Sequence, residues 1–155
     1  MAKSKIESYE KINEQNEVDF YKSFYHFIKN NNKNKGNIVS KKIMVIDDSP
    51  VIRKVADNFL RKENYQVILI EDGFDALVSI MEEKPDLVFV DVLMPFDGYK
   101  TCQIIRSNES LKKLPIIFLS SKDSEFDKAR GLMVGGNDYL TKPFTKESII
   151  EIVKR

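Results

Sequence analysis

At 155 residues the chain has room for one ordinary domain with a short appendage, because a single core usually serves about 100 to 150 residues. Hydrophobic residues supply 42% and charged residues 32%, a balance that excludes a disordered polyampholyte and predicts a folded, soluble protein. Twenty-five Lys and Arg against 24 Asp and Glu leave a formal charge of +1, so no long-range field favours nucleic acid or an anionic membrane.

Residues 1–37 differ from the rest. Asn16 could cap a helix in which Phe20, Tyr21, Phe24, Tyr25, Phe27 and Ile28 make a broad aromatic stripe, and KNNNKNKGN (29–37) reads as a linker. The stripe needs a cover, which its own domain, a sister copy or a distinct partner could provide; a mostly disordered tail is the other reading. His26, the lone histidine, lies within it, and nothing in the sequence selects a role for it.

From Ile38 onward, apolar runs alternate with helical patterns, which sets a domain over 38–155. Strands are predicted at KIMVID (42–47), YQVILI (65–70), DLVFVD (86–91), PIIFLS (115–120) and DYLT (138–141). The first four are nearly continuous in apolar residues, as strands covered by helices on both faces of a parallel sheet are. Between them, residues 50–62 place Val51, Val55 and Phe59, flanked by Ile52 and Leu60, opposite Arg53, Lys54, Asp57 and Arg61, with Pro50 opening the helix. A second helix follows Gly73, with Phe74, Leu77, Val78 and Met81 as its apolar residues, and stops before Pro85. A third starts near Gly98, and a fourth after Ser124. The last is capped by Thr145 and carries Ile149, Ile150 and Ile152. Five βα repeats predict an α/β fold: a doubly wound five-stranded parallel sheet of order 2-1-3-4-5, flavodoxin-like, with the N-terminal helical extension appended.

Ligands of such sheets bind at the carboxyl ends of the strands, where this chain puts Asp47 and Asp48, Asp91, Ser120 and Lys142. A single Asp after a strand is usually a helix cap, and Asp-Asp before Ser-Pro could be one. Four strand ends carrying polar groups that converge are not explained by capping. Three carboxylates close together repel, and hard oxygens without His or thiolate favour Mg²⁺ or Mn²⁺ as the neutralising cation. Asp91 could then attack phosphorus, with Lys142 and the Ser120 hydroxyl stabilising charge on the transferring oxygens. Cys102, the single cysteine, excludes an internal disulfide and reads as a small buried hydrophobe in the third helix. No apolar run approaches the roughly 20 residues of a membrane span, so membrane insertion is not expected and a reducing cytosol is the simplest compartment.

VIDDS (45–49), DVLMPFDGY (91–99), FLSS (118–121) and YLTKPF (139–144) together make residues 41–155 resemble the receiver domains of two-component response regulators, CheY-like. The resemblance implies that Asp47, Asp48 and Asp91 hold the metal together with the backbone carbonyl of Leu93, and that Asp91 accepts the phosphoryl group. It also implies that Lys142 pairs with that group and that Lys142-Pro143 is cis. Ser120 and Tyr139 would be the switch pair: the hydroxyl moves toward the phosphoryl, the ring rotates into the vacated space, and the face made by the fourth helix, fifth strand and fifth helix changes. The implied donor is a sensor histidine kinase or phosphotransfer protein, and the implied recipient a downstream effector. Within that family, EDGFDAL (71–77), DGYKTCQIIR (97–106) and the run 119–147 are similar to the PilG-type stand-alone receivers of type IV pilus and twitching-motility signalling. The sequence ends with the fifth helix, so no DNA-binding output domain is expected.

A haloacid-dehalogenase-like phosphatase shares the sheet and the nucleophilic Asp, but it needs DxDx[TV] where this chain has DDSPV (47–51). No GxxxxGK[ST] phosphate loop occurs, and no Ser/Thr/Gly-rich loop follows the first strand to hold a flavin phosphate. A phosphorylation-independent interaction module and a phosphorylation-driven homodimer stay open as alternatives. So do two readings of Gly98: a plain turn glycine, or one whose missing Cβ the loop after Asp91 requires.

Overall fold

The computed structural model describes residues 40–155. The expected N-terminal helix, its aromatic stripe, His26 and the linker lie outside the described residues.

Strand β1 (Lys42–Ile46) leads through helix α1 (Pro50–Lys62) to β2 (Gln66–Ile70), and α2 (Gly73–Glu83) leads to β3 (Leu87–Asp91). Then follow α3 (Gly98–Ser107), a 3₁₀ turn at Glu109–Leu111, β4 (Ile116–Ser120), α4 (Glu125–Met133), β5 (Asp138–Thr141) and α5 (Lys146–Lys154). All pairings are parallel and the strand order is 2-1-3-4-5, as the alternation of elements predicts. In register, Val45 faces Phe89, Val90 faces Phe118 and Leu119 faces Leu140, so four strand termini align at one edge.

Each strand divides its side chains between two apolar layers, because successive residues point to opposite faces. Ile43, Val45, Phe89, Ile117 and Leu119 pack against Ala56 and Leu60 of α1 and Ile149, Ile152 and Val153 of α5. Met44, Ile46, Val88, Val90, Ile116 and Phe118 pack against Ala76 and Ile80 of α2 and Tyr99, Cys102 and Ile105 of α3. The helix starts are fixed locally. Ser49, Asp72, Asp97 and Ser124 each accept a bond from an N–H of the first turn, and Thr145 and Ser148 form a reciprocal capping box.

Three sequence expectations are corrected. On α1 the buried residues are Ala56 and Leu60, while Val51 is 68% exposed, in the first turn beside the Asp47-Asp48 loop. On α2, Ala76 and Ile80 face the sheet, whereas Val78 and Met81 lie in solvent. In both cases an alanine marks the line of closest approach to the sheet, and a reading weighted toward bulky residues passes over it. Strand β2 meets both layers, with Val67 in one and Ile68 and Ile70 part-buried against the other, but its cover is incomplete. It is an edge strand, with Val67 its one buried residue and Leu69 exposed. Among the described residues no helix is long and apolar enough to cross a membrane.

Candidate functional site

The aligned strand ends carry the acidic set. Asp47 follows β1 and is fully buried; its backbone N–H still donates to Ile70 O at 3.1 Å, continuing the ladder by one bond. Asp48, next in the chain, is exposed. Asp91 closes β3 and is 4% exposed. Carboxylate oxygens of Asp47, Asp48 and Asp91 all lie within 4.8 Å of one another. The strand ends create this crowding at a cost, since burying like charges together raises carboxyl pKa values. Burial first, and the neighbouring Asp47 second, push the Asp91 carboxyl above its ordinary range; Lys142 and the Leu93 N–H pull it back in part.

Lys142 arrives from the far side, one residue after β5. Its N–H donates to Ser120 O at 2.8 Å, and its Nζ stands 2.5 Å from Asp47 Oδ2 and 3.2 Å from Asp91 Oδ1. The Lys142-Pro143 peptide is cis, as the sequence resemblance implies. Asp47 Oδ1 accepts from Ser49 N–H at 2.9 Å, but the buried Oδ2 accepts no well-aligned hydrogen bond. Its approach to Lys142 is therefore an ionic contact rather than a directed bond. A buried carboxylate oxygen in that state, among hard oxygen donors with one arm open to solvent, is what a divalent cation such as Mg²⁺ suits. The donor set fits the ion.

Ser120 closes β4 at 1% exposure, and its Oγ accepts from Lys122 N–H at 3.0 Å. Leu93 is 54% exposed at the rim, and its N–H donates to Asp91 Oδ1 at 3.3 Å. Tyr139 on β5 is half-buried, with its hydroxyl fully enclosed. Asp47, Asp48 and Asp91 are thus in mutual reach, Lys142 contacts Asp47 and Asp91, Ser120 ends the strand next to Asp91, and Tyr139 stands on the α4 side of the sheet against Phe118.

Gly98 belongs to the second of its two readings. A Cβ there would fall 2.1 Å from Asp91 O and 2.9 Å from Asp91 C, so the loop folds back onto the backbone of the acidic residue only because glycine occupies this position. Two further residues escaped sequence reasoning. Arg53 reads as solvent-facing helix, yet its Nη1 donates to Asp47 O at 2.7 Å and braces the acidic loop. Tyr99 reads as a helix-start aromatic, yet it is 5% exposed, with Phe118 on one side and the Arg130 guanidinium over its ring. Neither contact has a sequence signal, since both partners lie on elements brought close by the fold.

Comparison with known proteins gives the family and the fold. Residues 43–154 match the response regulator receiver domain family. Protein PilG of Pseudomonas aeruginosa is 51% identical over 114 residues, 73% of this chain and 84% of PilG. The chemotaxis protein CheY4 of Vibrio cholerae superposes with a TM-score of 0.72 at 30% identity, over 76% of this chain and 98% of that one. A receiver domain of a sensor histidine kinase from Pseudomonas aeruginosa, whose structure holds a magnesium ion in the active-site cleft, gives a TM-score of 0.70 at 33% identity, over 76% and 97% of the two chains.

Proposed function

Because the chain belongs to the response regulator receiver domain family and is similar to PilG, we propose that it is a phosphorylation switch in which Asp91 accepts a phosphoryl group from a phosphohistidine. The observation that carries this reading is the pairing of two buried carboxylates, Asp47 and Asp91, with one ammonium, Lys142, at a solvent-open strand edge. A purely structural trio of this kind would be costly to bury and would serve no packing purpose.

In the proposed reaction an Asp91 carboxylate oxygen forms the new P–O bond while the P–N bond to the donor imidazole breaks and the ring nitrogen takes a proton. Held by Asp47, Asp48, Asp91 and the Leu93 carbonyl, a Mg²⁺ (or Mn²⁺) ion would neutralise charge on the carboxylates and on the phosphoryl oxygens. Lys142 exchanges its contact with Asp91 for one with a phosphoryl oxygen, and the Ser120 hydroxyl donates to another. That bond draws Ser120 toward the site and favours the inward position of Tyr139, a population shift whose size equals the differential affinity of the two states for the phosphoryl group.

The output face is α4, β5 and α5. Its support is the exposure of Phe126, Leu132 and Met133 on α4, at 76%, 58% and 86%, more apolar surface than a solvated helix face requires. The partners are then a sensor histidine kinase or phosphotransfer protein upstream and an effector protein downstream, in pilus or chemotaxis-like signalling within the cytosol, with a homodimer as one form of output. The receiver occupies residues 38–155, and residues 1–37 form a separate extension. It is a signalling domain that catalyses only its own phosphorylation and dephosphorylation.

Acetyl phosphate with Mg²⁺ tests the chemistry. A single phosphoryl mass gain that is absent in Asp91→Asn supports it. No gain in the wild type, or a gain that survives the substitution, rejects it.

A further inference from the structure

Tyr139 points its hydroxyl into the protein, where that oxygen is enclosed and has no aligned partner. A buried hydroxyl in this state is costly enough to change populations several-fold. Around it the fold has made unusual room. A Cβ at Gly131 of α4 would lie 3.3 Å from Tyr139 Cδ2 and 2.9 Å from Phe118 Cδ2, and one at Gly136 would lie 2.3 Å from Phe118 Cε2. Two side-chain-free positions therefore accommodate three rings, because Phe118 stands 6.4 Å from Tyr139 and 4.9 Å from Tyr99.

The polar neighbour of the enclosed hydroxyl is Tyr99. Burial first, and the adjacent Tyr139 phenol second, push the Tyr99 hydroxyl well above the ordinary tyrosine range, so the two groups interact electrostatically. Tyr99 Oη spends its proton on the Asp127 carbonyl at 3.3 Å, in the first turn of α4, and keeps its lone pairs free to accept. Its ring is pinned by Arg130, whose Cζ sits 4.6 Å from the centroid. The preceding residue, Gly98, lies against the backbone of Asp91.

We propose that Tyr99 and Gly131 form the seat of the inward Tyr139 ring: Tyr99 is the positioning residue that offers its hydroxyl oxygen as acceptor and ties the seat to α4, and Gly131 supplies the space. This inference rests on the switch reading above and names the residues that set its balance. It gives the acidic site a connection to the output face that does not pass through Ser120, through Gly98 and Tyr99 on one short stretch of chain. In Tyr99→Phe the inward hydroxyl meets an apolar ring edge with no acceptor, so the inward state loses ground. In Gly131→Ala the new methyl crowds Phe118 first and the Tyr139 ring beside it, and the shift has the same sign.

The test places 3-fluorotyrosine at position 139 of the full chain and reads inward and outward populations by fluorine NMR, with a urea midpoint on each sample to report the fold. Wild type is expected to move inward on adding Mg²⁺ and beryllofluoride. Tyr99→Phe is expected to shift the ratio outward by roughly two- to five-fold with and without them, at most the size of one ordinary hydrogen bond, because the hydroxyl faces Tyr99 without good alignment. A responsive wild type with an unshifted Tyr99→Phe overturns the seat alone. A wild-type ring indifferent to Mg²⁺ and beryllofluoride overturns the switch reading, and the seat with it.

Discussion

Replacing Lys142 by Met removes the cation that, among the described residues, stands between Asp47 and Asp91, while keeping the length and apolar stem of the side chain. The lysine side chain is 16% exposed and its partners 0% and 6%, so solvent screens these contacts little. Breaking a buried pair by deleting one partner costs about 3 to 5 kcal/mol; two carboxylates that share the lysine and open onto solvent on the Asp48 side put the expected loss near the lower figure, about 3 kcal/mol at pH 7 without metal. The loss depends on pH. Asp91 already binds its proton more tightly folded than unfolded, so its contribution to stability falls as pH rises from the unfolded carboxyl pKa through the folded one. Deleting Lys142 removes two of the influences that lower the folded pKa, widening that window upward. Urea unfolding in chelator should therefore show the largest gap between variant and wild type near neutrality and a smaller one near pH 4.5, because protonation of Asp91 grows as pH falls. Mg²⁺ should narrow the gap at pH 7, since the carboxylates that have lost their ammonium gain more from the cation than those that keep it, and each tenfold tighter binding by the variant at saturating ion recovers about 1.4 kcal/mol. A gap at pH 7 below about 0.5 kcal/mol, or one of equal size at both pH values, would refute the reasoning that the lysine neutralises buried charge.

Gly98→Ala forces a methyl onto backbone atoms of Asp91, which cannot step aside as a flexible side chain can. We expect a loss of about 2 to 3 kcal/mol in urea unfolding together with slower acetyl phosphate labelling; a variant within about 0.5 kcal/mol of wild type would show that the loop yields freely. Arg106 donates to Gly135 O, Leu111 O, Leu114 O and Asn137 Oδ1 at 2.8, 3.2, 2.7 and 2.7 Å, so Arg106→Met should cost about 2 to 4 kcal/mol by the same assay through the carbonyls it orphans. Cys102 is fully buried and its thiol is pushed up by that burial, so a disulfide reagent should modify it no faster than the domain opens globally. Rapid labelling of the native protein would contradict its position in the core.

Much of this protein is legible in order along the chain. Strand runs such as 86–91 and 115–120 are apolar because both faces of a central strand are covered, and the alternation with helices leaves one economical topology. Asp47, Asp48, Asp91, Ser120 and Lys142 are legible for a related reason: in a parallel sheet every strand ends at the same edge, so residues that directly follow apolar runs are neighbours whatever their separation in sequence. That rule carries the acidic cluster without any coordinate. What the rule does not carry is burial within a helix or contact between elements. Ala56 and Ala76 seat α1 and α2 on the sheet because small side chains permit the closest approach, while the bulkier Val51, Val78 and Met81 are left in water. The brace from Arg53 to Asp47, the clamp made by Arg106 and the seat that Tyr99 and Gly131 make for Tyr139 join residues 5 to 40 positions apart through distances no pattern encodes. The sequence determines which groups reach the common edge, because that follows from chain direction; only the tertiary structure decides which ring lies on which glycine, because that follows from packing in three dimensions.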